Sequence, residues 1–73
     1  MIFTMPLGIA IKFGKKVRKL RLDQKMSQGK LAKKLAVDPS YISQIERGIG
    51  NPSLRVVEKV AKALGVSSDE LLK

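Results

Sequence analysis

Seventy-three residues, 44% hydrophobic and 29% charged, suffice for one small domain with a single modest core and exclude two sequential lobes flanking an active site. The chain has no cysteine and no histidine, which removes disulfides, thiolate nucleophiles, imidazole bases and every Cys/His zinc site. Fifteen basic residues face six acidic ones, a net charge of +9, and ten of the fifteen lie between Lys12 and Lys34 with only Asp23 opposing them. Such a run suits a polyanionic partner, either nucleic acid or an anionic membrane surface; a merely solvated lysine face is the plainer alternative.

No charged side chain occurs before Lys12. A secretory signal carries its positive charges ahead of its apolar stretch, and a membrane span needs about 20 apolar residues, so neither template is met. Residues 1–8 are read as an apolar arm whose Ile2, Phe3 and Leu7 pack on the domain or on a second copy of it, and residues 9–73 as one domain. A fold of this size without disulfide staples suits a reducing cytosol, hence a cytoplasmic location.

Five short helices follow, with no convincing strand. Ile9, Phe13, Val17 and Leu20 make one apolar stripe, with Lys12, Lys15, Lys16 and Lys19 on another side. Ser27 caps a second helix that buries Leu31, Ala32 and Leu35 and ends near Ala36. Asp38 caps a third, Pro39 occupies its first turn, Ile42 and Ile45 face inward and Gly48 stops it. Ser53 then opens a helix carrying Leu54, Val57, Val60, Ala61 and Leu64 as far as Gly65. Ser67 and Glu70 form a capping box for a last turn or two.

The second and third helices, joined by a short turn with the small Ala32 between them, have the spacing of a helix-turn-helix. Here the sequence resembles the phage-repressor and Cro type of helix-turn-helix domain, the XRE-like family. The resemblance is carried by Ser27-Gln28, Leu31-Ala32, Val37, the run Tyr41-Ile42-Ser43-Gln44-Ile45-Glu46-Arg47-Gly48, Asn51-Pro52-Ser53-Leu54 and Ala61-Lys62-Ala63-Leu64-Gly65-Val66. It covers about residues 14 to 72 and implies an all-α, compact five-helix bundle of the lambda-repressor-like kind. The function it implies is sequence-specific binding of double-stranded operator DNA by a homodimer.

Carried over residue by residue, the resemblance places Gln28 on a backbone phosphate, Tyr41 on a phosphate and Glu46 in a structural salt bridge with Arg21. Base edges are expected to meet the outward side of the third helix, residues 39–47, where Ser40, Gln44 and Arg47 lie at i, i+4 and i+7 with Ser43 beside them. Gln44 is the best single reader, because its amide matches adenine N6 and N7. The sequence departs from the family pattern at four places. Pro39 offers no side-chain hydrogen bond, and Gly29 and Lys30 forfeit a capping box. Ala36 replaces a turn glycine. Ile49 and Gly50 replace basic residues, leaving backbone contacts in that loop to main-chain amides and Asn51.

Dimerisation is expected through the fifth helix and the end of the fourth, using Val66, Leu71 and Leu72, residues that could equally be core. Two reading helices one DNA turn apart would then match half-sites about 34 Å between centres. The simplest reading is a repressor. It needs no cofactor, no metal and no small-molecule effector. Two other classes stay open: a partner-dependent regulator such as an antitoxin, and a nonspecific basic nucleic-acid binder. An enzyme is not expected, since the six carboxylates form no evident acid–base pair. The glycines at 8, 14, 29, 48, 50 and 65 match helix ends and turns better than a phosphate-cradling loop.

Overall fold

The computed structural model describes residues 5–73, so Ile2 and Phe3 of the expected arm lie outside the described residues. The described residues form α1 (Leu7–Asp23), α2 (Gln28–Leu35), α3 (Pro39–Glu46), α4 (Leu54–Leu64) and α5 (Ser68–Leu72), with no strand among them. No helix among them is long and apolar enough to cross a membrane.

The polar residue before each of the last four helices explains where it starts. Ser27 Oγ accepts from Lys30 N, Asp38 Oδ1 from Ser40 N, Ser53 Oγ from Val56 N and Ser67 Oγ from Glu70 N, each supplying a first-turn amide with the acceptor it lacks inside the helix. Two of the ends are left-handed. Gly65 closes α4 at φ 73°, a conformation free of cost for glycine, whereas Ala36 closes α2 at φ 57° and bears the clash of its Cβ.

α1 departs from the expected pattern. It begins at Leu7 after Pro6, two residues before Ile9, and Leu7 is 71% exposed, so Leu7 does not pack on the domain. Met5 is the buried residue of this segment, and its N–H donates to Asn51 Oδ1 at 2.9 Å, tying the chain before α1 to the loop after α3. The buried stripe is Ala10, Phe13, Gly14, Val17 and Arg21, while Ile9 is 41% exposed and Leu20 only half-buried. Both stripes share Phe13 and Val17. The one that faces inward adds the small Ala10 and Gly14, which lets α1 approach its neighbours more closely there.

α3 is held between α1 and α2, and α4 and α5 close the bundle against α1 and α2. Phe13, Val17, Leu31, Ile42, Val57, Val60 and Leu71 are fully buried at its centre. Leu71 is therefore core, not dimer surface, because five-residue α5 has one inward position and Leu71 occupies it; Val66 and Leu72 are half-buried beside it.

Gly14 lies in the middle of α1, not at an end or turn. A Cβ there would sit 2.9 Å from the carbonyl oxygen of Glu46 and closer still to that of Ile45, so only glycine lets α1 pass over the C-terminal end of α3. Gly48, at φ 72°, makes the reciprocal approach, where a Cβ would fall 2.9 Å from Ile11 Cγ1. Gly14→Ala gains about 1 kcal/mol of helix propensity. It nevertheless drives a methyl group into fixed backbone, an overpacking cost of roughly 1–3 kcal/mol or more. A net loss of stability is expected in urea melts; a variant as stable as the parent would refute the close approach.

Candidate nucleic-acid interface

A helix that reads another molecule must show a polar face while its other side is anchored. α3 does so through Ile42 and Ile45, both buried, and through its last residue, Glu46, which is 8% exposed. The Glu46 carboxylate receives Arg21 Nε on Oε2 at 2.6 Å and Arg21 Nη2 on Oε1 at 3.0 Å, a two-point pair between α3 and α1. Arg21 Nη1 donates to Met26 O at 2.7 Å, so the same guanidinium also fixes the turn between α1 and α2. The side-chain hydrogen bond from Arg21 to Glu46 raises the guanidinium above its usual value, against the opposing effect of burial. Every buried side-chain polar atom among the described residues has a partner, which is what makes a buried ion pair tolerable.

Gln28, the first residue of α2, donates from Nε2 to Glu46 Oε1 at 3.1 Å. Its amide is thereby held at the junction of α2 and α3 with its second N–H unspent. Arg18, one turn before Arg21, brings Nη1 to 3.9 Å from the same carboxylate oxygen while its side chain stays 60% exposed. Arg18 is absent from the sequence-based candidates. The signal was present, since i and i+3 share a helix face and the resemblance already set Glu46 opposite Arg21.

Ser40, Gln44 and Arg47 are exposed and Ser43 is half-buried, so all four stand on the outward side of α3 and its C-cap as the helical spacing requires. The Gln44 side chain makes no hydrogen bond to the described residues, whereas Arg47 Nε reaches back to Ser43 O at 3.4 Å. Ser40 Oγ lies 2.9 Å from Asp38 Oδ1. Tyr41 is half-buried and packs against the core. Asn51 stands apart from this group. Its Oδ1 is engaged by the Met5 N–H, so only its amide hydrogens remain for a phosphate.

Lysines of the basic run line two separate depressions. Lys12, Lys15, Lys16, Lys19 and Lys73 line one shallow depression; Lys34, Lys59 and Lys62 line another, between α2 and α4. Neither includes a residue of α3, whose exposed face carries only Arg47 as a cation.

Two outcomes follow. Glu46→Ala leaves Arg21 buried without its counter-charge, and a loss of about 3–5 kcal/mol is expected. An unchanged thermal melt would refute the anchoring role. The backbone and side-chain hydrogen bonds from Ser40 hold the Asp38 carboxyl below its ordinary value of 3.8. A group depressed on folding stabilises the fold fully above its unfolded value, and that stabilisation is lost as pH falls through the lower, folded value. Removing the charge with Asp38→Asn, while keeping an acceptor for the cap, should flatten this part of the acid limb in melts between pH 5 and pH 2 (about the window of a depressed carboxylate). A limb of unchanged slope counts against it.

Residues 17–71 match the helix-turn-helix family. The control protein C.BamHI of Bacillus amyloliquefaciens is 49% identical over 69 residues, spanning 93% of this chain and 85% of that protein. The crystal structure of the restriction-modification controller protein C.AhdI from Aeromonas hydrophila superposes with a TM-score of 0.81 at 40% identity, covering 85% of this chain and 94% of that one. The controller protein C.Esp1396I, solved as a tetramer with its natural 35 base-pair operator, gives a TM-score of 0.78 at 35% identity over 86% of this chain and 83% of that one. Five helices in this order, a polar outward face on the third, and matches of this extent lead to one conclusion: the chain belongs to the helix-turn-helix family.

Proposed function

We propose that this protein is a sequence-specific double-stranded DNA-binding transcriptional regulator, most simply a repressor, that places α3 in the major groove and binds a pseudo-palindromic operator as a homodimer. The observation that carries this reading is the outward face of α3. It presents Ser40, Ser43, Gln44 and Arg47 on a short helix whose opposite side is fixed by Ile42, Ile45 and the Glu46–Arg21 pair. Rigid presentation matters because side chains already held in place cost less entropy to order on binding. The operator complex of the related C.Esp1396I supports the same use of the fold.

In this reading Gln44 is the main reader, with Ser40, Ser43 and Arg47 beside it, and phosphates are held by Gln28, Tyr41 and the Asn51 amide. Arg18 joins the phosphate contacts, since its cation sits next to Gln28's carboxylate partner and remains open to solvent. The second copy docks on Val66 and Leu72 with the end of α4, without Leu71, which the core consumes. The protein acts in the cytoplasm on DNA and has no catalytic role. No cofactor or small-molecule effector enters this mechanism.

The test is selection of binding sites from a randomised duplex pool at near-physiological salt, for the parent and for Gln44→Ala. A palindromic site is expected, with the variant losing roughly 1–3 kcal/mol of discrimination at one symmetric pair of positions. Strong but unselective binding that falls steeply with salt would instead assign the protein to the nonspecific class.

A further inference from the structure

We propose that Asp38 is a specificity-determining residue of the α3 face: it fixes Ser40 as a hydrogen-bond acceptor, so that the pair reads the exocyclic amino group of one adenine or cytosine. The inference rests on the DNA-reading role of α3 proposed above and adds the polarity of one contact to it.

A serine hydroxyl alone is ambiguous, because it can give a hydrogen to guanine or thymine or accept one from adenine or cytosine. Here the ambiguity is removed. Ser40 Oγ lies 2.9 Å from Asp38 Oδ1, and an ionised carboxylate only accepts, so the hydroxyl hydrogen is committed to Asp38. What Ser40 turns outward is lone pairs. The same Oδ1 takes the Ser40 backbone N–H at 2.9 Å, which holds the carboxylate in place, and Oδ2 has no partner among the described residues.

The surrounding backbone adds no competing donor. Pro39 has no N–H, and Tyr41 N donates to Asp38 O at 2.9 Å. Asp38, Pro39 and Ser40 are all exposed, on the same stretch of chain that leads into Gln44 one turn later. An exposed patch with two acceptor oxygens and a negative charge repels phosphate and also repels guanine O6 and N7 and thymine O4. The major-groove groups it can meet are the amino hydrogens of adenine N6 or cytosine N4. A carboxylate at this point in a chain of net charge +9 lowers nonspecific attraction at the proposed reading face, which fits a reading role better than a holding one.

The experiment uses the operator selected for the parent protein and replaces its bases one at a time with amino-deleted analogues, purine for adenine and pyrimidin-2-one for cytosine. Parent, Asp38→Ala and Ser40→Ala proteins are titrated against each duplex, with a thermal melt to establish that each variant is folded. At one symmetric pair of positions, deletion of the amino group is expected to weaken the parent roughly tenfold or more and both variants by less than about twofold. In a repeated selection, Asp38→Ala, which frees the Ser40 hydroxyl to donate as well as accept, should admit guanine or thymine at that position. The inference is overturned if Asp38→Ala and Ser40→Ala, folded and still selective elsewhere, respond to every amino deletion as the parent does. A parent that selects no site at all overturns the DNA-reading role itself, a distinguishable failure.

Discussion

The Arg21–Glu46 pair is the interaction on which the arrangement of α1, α2 and α3 depends. An ion pair taken out of water gains little net stability, because desolvation of both charges offsets their attraction. Its consequence here is geometric. Glu46 ends α3, Arg21 lies near the end of α1, and the guanidinium also grips Met26 O in the turn to α2 while Gln28 of α2 shares the carboxylate. One buried carboxylate thus gathers groups from three helices at a single point. A shift of α3 along its axis or a rotation about it would strand a buried charge, so the pair fixes which side of α3 faces solvent.

Such a pair forms only if the backbones come close enough, and that requirement falls on two glycines. Gly14 lets α1 rest on the carbonyl groups of Ile45 and Glu46, and Gly48 lets the chain leaving α3 turn back beside Ile11. The Met5 to Asn51 hydrogen bond extends the same seam toward the N-terminus. Along this line α1 acts as a brace behind the end of α3. The apolar anchors Ile42 and Ile45 supply the burial; the glycine seam and the ion pair supply the register.

Charge is distributed as though affinity and reading were separate tasks. Lysines of α1, α2 and α4 line depressions that exclude α3, while the α3 face holds short polar side chains, one arginine and a carboxylate at its start. Cations scattered over a surface favour any polyanion, whereas fixed donors and acceptors of known polarity discriminate among base edges. In the proposed reading role Asp38 belongs to the second group, because its charge opposes the general attraction while its hydrogen bonds engage Ser40.

Much of this fold is legible in the sequence because the signals are local. A cap acts over three residues and a helix stop over one or two, so Ser27, Asp38, Ser53, Ser67, Gly48 and Gly65 mark boundaries without reference to the rest of the chain. The inward positions of α2 and α3 were equally plain, and those of α4 too except for Leu54, which lies in its first turn and is 45% exposed. α1 offers two apolar faces that overlap, and only packing against α3 decides for Ala10 and Gly14 over Ile9. Leu71 as core, Asn51 as the partner of Met5, and Arg18 and Gln28 beside Glu46 likewise join residues far apart in the chain. Sequence by itself determined the five helices, the limits of the last four and the polar face of the third, because those follow from interactions within a turn or two. Tertiary structure alone decided how closely the helices pass and that Gln28 and Arg18 join the expected Arg21–Glu46 pair, because those depend on surfaces that meet only once the chain has folded.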